Sequence, residues 1–524
     1  MIDIGPTKGS HGRKDGEGKI GGMSMNESIK KRMIFMILAL LLPVLSISCG
    51  GGGSTAGGGI GGTGVGPVTG FGSVIVNGVK YVDSGIDNTN FFDAHGRSKE
   101  DLKTGMMVAI FGPFNGANGT ADNITVLRHV DGPMDDNGVD LATNRLNVMG
   151  QDIVVDTSTV FDNGVTNLAD LQALQGANLN HPELEAHGSA DNNGVIHATF
   201  ITKWSNDRIV GRVEQIRGTV AGLDSVAKTF SIGRKTVDFS GVLGGLPSGV
   251  IAGSFVEVKG TLRILDNVLV ATSVKPEDVT GGQPSGSKVE VEGYVNRLVT
   301  PNASFEMIGP NGVQTVTWTT GTTTFTGGTG SDIVAGVKIE VEGTRKPGGA
   351  LAATKIEILR ANNIRMESTV TSVTASTLTI FGKTVRVNAL TQYEDGGSVK
   401  LKTFGQADIL VGNTLEVSAS LDNNASIIAT RVKRIDAIDV DQHILQGPLD
   451  SALSPTLSIL GITVVTLPPP GTMFRRADAT EFVTQADFFA AVAVGDIAKV
   501  RGNQATPIVI MNANEVQIEP TIEN

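Results

Sequence analysis

One eight-residue phrase recurs six times along this chain of 524 residues, and no other feature restricts the fold as much. It reads GMMVAIFG at 105–112, HPELEAHG at 181–188, GSFVEVKG at 253–260, GVKIEVEG at 336–343, GNTLEVSA at 412–419 and GDIAKVRG at 495–502. A second phrase follows nine to eleven residues later: ADNI at Ala121, ATFI at Ala198, ATSV at Ala271, ATKI at Ala353, ATRV at Ala429 and ANEV at Ala513. Starts of the first phrase lie 72 to 83 residues apart, which sets the length of one unit. Self-similarity at a fixed period marks a repeat architecture.

The phrase has the physics of a strand. In GSFVEVKG, Val256 and Val258 share one face and Glu257 takes the other, the period of two of a half-buried strand. A polar turn such as ILDN (264–267) or KPGG (346–349) follows, then the A-T-x-V strand. Alanine there fits a spot too narrow for a larger side chain. Upstream, most units carry another pair of short strands around a turn: LTIFGKTVRV (378–387), LSILGITVVT (457–466), FSIGRKTVDF (230–239) and SVIVNGVKYV (73–82). Between the pairs lies a short segment such as DLKTG (101–105) or TQADFFAAVAVG (484–495), the latter long enough for a helical turn or two.

About five short strands with a small helix or loop between pairs predict a closed antiparallel barrel of the oligonucleotide-binding (OB-like) type. Closure removes the open edges that a multi-repeat chain would otherwise expose. A small open sandwich is the alternative. The expected fold is all-β: a tandem array of six small barrels at 67–130, 136–205, 208–278, 286–361, 362–436 and 442–520. Short connections such as ATKIEILRANNIRMESTV (353–370) predict a semi-rigid curved string, with QPSGSK (283–288) as its hinge. That expectation assumes each unit keeps its apolar side for its own core and turns its acidic side to water.

The N-terminus speaks to location. NESIKKR (26–32) is basic, MIFMILALLLPVLSI (33–47) is uncharged, and Cys49, the only cysteine, follows at once. A basic region, a short apolar run and small residues before a cut site form a secretory leader; the run is shorter than the roughly 20 residues of a membrane span. The stretch resembles a bacterial lipoprotein leader, with Leu45 one position from the usual place and Ser46 in it. The resemblance implies a leader over 1–48, lipidation of the Cys49 thiol and a membrane partner through that anchor. Gly50 behind the cysteine, rather than aspartate, implies sorting to the outer membrane. The true start is expected at Met23 or Met25. Residues 50–66 contain eleven glycines in seventeen, so 49–66 reads as a flexible tether of roughly 20–25 Å. The two repeated phrases also resemble the bacterial family called domain of unknown function 5666, often found in tandem behind such leaders. That resemblance implies an extracytoplasmic lipoprotein of small β-domains and no activity.

Charge excludes one class of partner. The chain carries −11, and beyond residue 32 there are 35 basic against 49 acidic residues. Nucleic-acid binding rests on Lys and Arg releasing counterions from phosphates, and no basic cluster stands out, so no nucleic acid is expected.

Chemistry is scarce. G-x-S-x-G, H-E-x-x-H and a strand-to-helix G-x-G-x-x-G are absent. His95, His129 and His443 read as surface residues. His181, His187 and His197 with Glu185 invite a zinc reading; pairing Gly188 with His197 puts His187 and His197 on opposite faces, and zinc needs convergent ligands. Asp131, Asp135, Asp136 and Asp140 in DGPMDDNGVD (131–140) suit either a calcium loop or a solvated linker. The aromatics Trp204, Trp318, Tyr81, Tyr294 and Tyr393 are few for stacking on sugars. No cofactor, metal or catalytic residue is therefore assigned. The expected function is a non-catalytic envelope scaffold with a protein or glycan partner. The alternative is a carboxylate-dependent hydrolase built in long loops such as 82–101.

Overall fold

The computed structural model describes residues 62–175, 181–277, 283–398, 400–504 and 510–522, all within one compact unit, Gly59–Asn524. The expected leader, Cys49 and the expected tether up to residue 61 lie outside the described residues. No helix among the described residues is long and apolar enough to cross a membrane.

Among the described residues the fold is all-β, with two short α-helices, Leu168–Gln175 and Gln485–Ala491. The third repeat shows how one unit closes. Its opening strand is bent at Val220 into Glu214–Thr219 and Ala221–Asp224. The second half pairs with Thr229–Ile232, which forms a hairpin with Lys235–Asp238. That strand runs parallel to the fifth, Val268–Pro276, which is antiparallel to the fourth, Phe255–Arg263. The fourth returns to the first half of the opening strand. The circuit 1-2-3-5-4-1 closes the five-stranded Greek-key barrel of the OB type, and the other five repeats pair their strands in the same order.

The repeated phrase supplies the two closing devices. Its first glycine adopts a left-handed φ, +91° at Gly253, a conformation glycine reaches without steric cost. There the Gly253 N–H donates to the Val220 carbonyl at the bend (2.8 Å), while Val220 N–H donates back to Ser254. Its last glycine sits where the fourth strand bulges against the fifth, between Lys259 and Gly260. A Cβ on Gly260 would lie 2.1 Å from the Val270 carbonyl oxygen, so the bulge that bends the strand requires that close approach. The alanine of A-T-x-V lies opposite this glycine and its carbonyl accepts a threonine hydroxyl in four repeats: Thr159 to Ala198, Thr323 to Ala353, Thr391 to Ala429 and Thr472 to Ala513, at 2.7–2.9 Å.

The repeats do not form a string. They pair through their opening strands: repeats 2 and 3 share a 12-stranded sheet, 5 and 6 a 13-stranded sheet, and 1 and 4 a 14-stranded sheet. The last pair is remote in sequence, joined where Gly62–Gly70 runs parallel to Lys288–Thr300. Further bonds tie repeat 2 to repeat 5, Thr157 Oγ1 donating to the Asn362 carbonyl, and repeat 5 to repeat 1, Lys402 Nζ donating to the Glu100 carbonyl. The expected hinge at 283–288 is held: Ser287 is fully buried and its carbonyl accepts from Arg345 N–H.

Three other expectations change with this packing. The stretch read as a tether enters the first barrel at Gly62, in a strand buried throughout. Its alternate glycines leave room for side chains of the same barrel, since a Cβ on Gly64 would meet the Tyr81 hydroxyl at 2.4 Å. The stretch 131–140 lies in the opening strand of repeat 2, Val130–Asp140, which starts before the expected boundary at 136. Glu257, placed in water by its alternation, is buried beside Arg217.

Candidate functional site

The densest group of ion pairs joins repeats 1 and 2, with Arg212 contributed from the start of repeat 3. In the loop 82–101, Asp93 accepts the backbone N–H groups of His95 and Arg97, both at 3.0 Å. This turn aims both side chains at the fourth strand of repeat 2, Glu183–Ala190. There Arg97 Nη2 donates to Glu185 Oε1 at 2.7 Å. Arg128, buried at the end of repeat 1, pairs with Asp93 and stands 3.3 Å from Glu185 through its Nε. His95 Nε2 is 2.7 Å from Asp131, whose other oxygen accepts from Arg212 at 2.6 Å. Arg212 also donates to Glu183. Trp204 roofs the group: its indole N–H donates to Glu185 at 3.2 Å, His95 lies 4.5 Å from its ring, and Arg97 and Arg212 both lie 5.7 Å from it.

The electrostatics follow from this arrangement. Burial works to raise the Glu185 carboxyl, but His187 and the Arg128 and Arg97 guanidiniums hold it far below the ordinary carboxylate range. Burial lowers His187, which is neutral with its proton on Nε2: Met107 N–H donates to Nδ1 at 3.1 Å, and Nε2–H donates to Glu185 at 2.6 Å. Burial, aided by the charge of Glu183, pushes Glu214 up to about 8.

Oxygen and nitrogen atoms of His95, Asp131 and Glu185 lie within 4.8 Å of one another, close enough in geometry for a metal ion. The neighbours argue against one. Arg212 Nη2 stands 3.3 Å from His95 Nε2 and 2.6 Å from Asp131, and Arg128 borders Glu185. Guanidinium charge is already at each carboxylate, so a cation would have to displace it. Glu185 itself does not suit a general acid, which needs a raised pKa, because it is driven the other way.

The histidines considered for zinc do not converge. A bulge between His187 and Gly188 shifts the register by one, so His197 pairs with Ser189 rather than Gly188. His197 stacks on Tyr294 of repeat 4 at 4.4 Å, and His181 Nδ1 bonds the Met134 carbonyl. The four aspartates diverge as well. Asp131 joins the junction, Asp135 accepts Gly150 N–H, Asp136 stands 3.3 Å from His181, and Asp140 accepts Ala142 N–H in a turn. His129, expected at the surface, is buried, and burial together with Arg217 lowers it to about 4. His95, expected there too, is a member of the junction.

The arginines and the fifth position of the phrase were missed from sequence. That position is glutamate in four repeats, and each is paired: Glu185 as above, Glu257 with Arg217 at 3.0 Å, Glu340 with Lys355 at 3.4 Å, and Glu416 with Arg365 at 2.9 Å. The recurrence of an acidic residue between two apolar core residues was the available signal. Cavities elsewhere include one of about 480 Å³ among repeats 1, 2, 4 and 5, and one of about 470 Å³ beside His197 and Ile522.

No curated protein matches this chain. Among solved structures, drosophila Unr CSD456 is similar at 13% identity over 42% of this chain and 97% of that one, with a TM-score of 0.11, too low to carry anything over. The family model described as Domain of unknown function (DUF5666) matches residues 131–202, 217–275, 292–357 and 367–433, repeats 2 to 5 and about half of the chain. The chain belongs to the DUF5666 family.

Proposed function

We propose that this chain is a non-catalytic scaffold of the cell envelope, anchored through a lipid on Cys49, that presents six mutually braced barrels to a protein or glycan partner. The observation that carries the scaffold reading is the use of its buried ionisable groups. Asp93, Arg97, Arg128, Asp131, Glu185 and Arg212 neutralise one another across a repeat boundary, where an active site would keep a group free to react. The hydrolase alternative drew on the loop 82–101, and its Asp93 and His95 are engaged in that junction. The anchor rests on the basic, apolar and cysteine-glycine order of residues 26–53. Labelling cells with an alkyne fatty acid tests it: the native chain is tagged and fractionates with outer membrane, and Cys49→Ala is neither tagged nor retained. Equal tagging of the two chains, or a soluble native chain, refutes the anchor.

A further inference from the structure

Among the described residues, five of the six barrels carry an extra short strand, and the third shows none. The segments Phe91–Phe92, Val160–Asp162, Thr324–Thr326, Gln392–Asp395 and Met473–Arg475 each run parallel to the end of the fifth strand of their repeat. Every one sets an aromatic ring opposite an aliphatic residue: Phe91 opposite Ile124, Phe161 opposite Ile201, Phe325 opposite Ile356, Tyr393 opposite Val432, Phe474 opposite Val516. In repeats 2 and 4 to 6 the paired residues begin two positions past the alanine of A-T-x-V.

In repeat 3 those positions are Ser273, Val274 and Lys275. On their outer side the fifth strand is paired only at Leu269 and Val270, with Val237 and Asp238. Among the described residues no strand adds beyond that point. Thr272, Ser273 and Lys275 are exposed, while the equivalent Lys355 and Glu357 of repeat 4 are partly covered. The segment that would supply the strand, GVLGGLPSGVIAG at 241–253, forms turns instead. It packs Val242, Leu246 and Val250 against the core and leaves Leu243 93% and Ile251 65% exposed. An unpaired edge offers its N–H and C=O groups to another chain, and strand addition is a general mode of peptide recognition.

We propose that the Ser273–Lys275 edge of repeat 3 binds an extended segment of a partner protein, in parallel, with an aromatic residue opposite Val274. The occupant's chemistry is that of the five strands that fill this position elsewhere in the chain: a short extended run with a ring at its centre. The proposal deepens the scaffold reading by naming how a protein partner attaches, and its test is independent of the lipid anchor.

Hydrogen exchange on the mature chain supplies the test, with a synthetic peptide copying residues 322–328 (TTTFTGG) as the probe. In the free protein, amides over 273–275 exchange faster than those over 355–357. With the peptide at about 1 mM, the upper range of weak binding, exchange over 272–275 slows at least about tenfold; the same peptide with Phe325→Ala leaves it unchanged. Four results overturn the proposal: equally slow exchange of the two edges in the free chain, no slowing at that concentration, equal slowing by the two peptides, or slowing confined to another strand.

Discussion

Removing the Glu185 carboxylate is the sharpest perturbation of the junction between repeats 1 and 2. Its side chain is fully buried and meets Arg97 at 2.7 Å, Arg128 at 3.3 Å, His187 at 2.6 Å and Trp204 at 3.2 Å. Glu185→Ala leaves Arg128, with a side chain 1% exposed, and Arg97 sharing Asp93 alone. Breaking a buried ion pair from one side costs about 3–5 kcal/mol, because the remaining charge stays desolvated. Contacts in one network are not additive, so this range belongs to the network as a whole. With a urea slope of about 2 kcal/mol/M, the junction's midpoint falls by roughly 2 M. Trp204 reports it locally through its fluorescence in a Trp318→Phe background. Glu185→Gln, which keeps an acceptor of similar shape, falls between the native chain and Glu185→Ala. The pH dependence has a definite sign. Because the folded pKa is depressed, the stabilisation is fully present above the unfolded value of about 4.3. It declines progressively as pH falls below that value and is gone once pH is under the much lower folded value. The junction should therefore hold through pH 4 and open in strong acid. A midpoint shift below about 0.5 M for Glu185→Ala would refute the view that charge pairing holds these repeats together.

In repeat 3, Val258→Ala removes two methyl groups from a fully buried site and should cost about 2–3 kcal/mol. Glu257→Ala strands the buried Arg217 and should cost about as much; a negligible effect in denaturant unfolding would put Glu257 back in water. Burial and the neighbouring charge of Glu340 push Glu290 well above the ordinary carboxylate range, so the folded form retains its proton longer than the unfolded chain. Stability of repeats 1 and 4 should then decline as pH rises from about 5, and Glu290→Gln should flatten that slope in urea midpoints measured between pH 5 and 9; an unchanged slope refutes it. Small-angle scattering of Gly59–Asn524 should give a radius of gyration of about 23 Å, that of one compact body; a much larger value would restore the extended string.

The six-fold phrase determined the local structure by itself. Alternation in GSFVEVKG and its relatives specifies strands because side chains on a strand point to opposite faces in turn, and the paired phrases specify hairpins because they are joined by short polar turns. Even the threonine preceding the extra short strand and the two glycines of the phrase serve the barrel's own closure, so their reasons are local to one repeat. What the sequence left open is which barrel lies beside which. Gly62–Gly70 meets Lys288–Thr300 across more than two hundred residues, and no periodicity within a repeat encodes that pairing. The burial of the polar faces was illegible for the same cause. A glutamate at position 257 or 340 looks solvated when only its own strand is considered. Its counter-charge comes from another strand, as Arg217 does for Glu257 and Lys355 for Glu340, or from another repeat, as Arg97 does for Glu185. Desolvating a charge is tolerable only where an opposite charge is delivered to it, and tertiary structure alone makes that delivery.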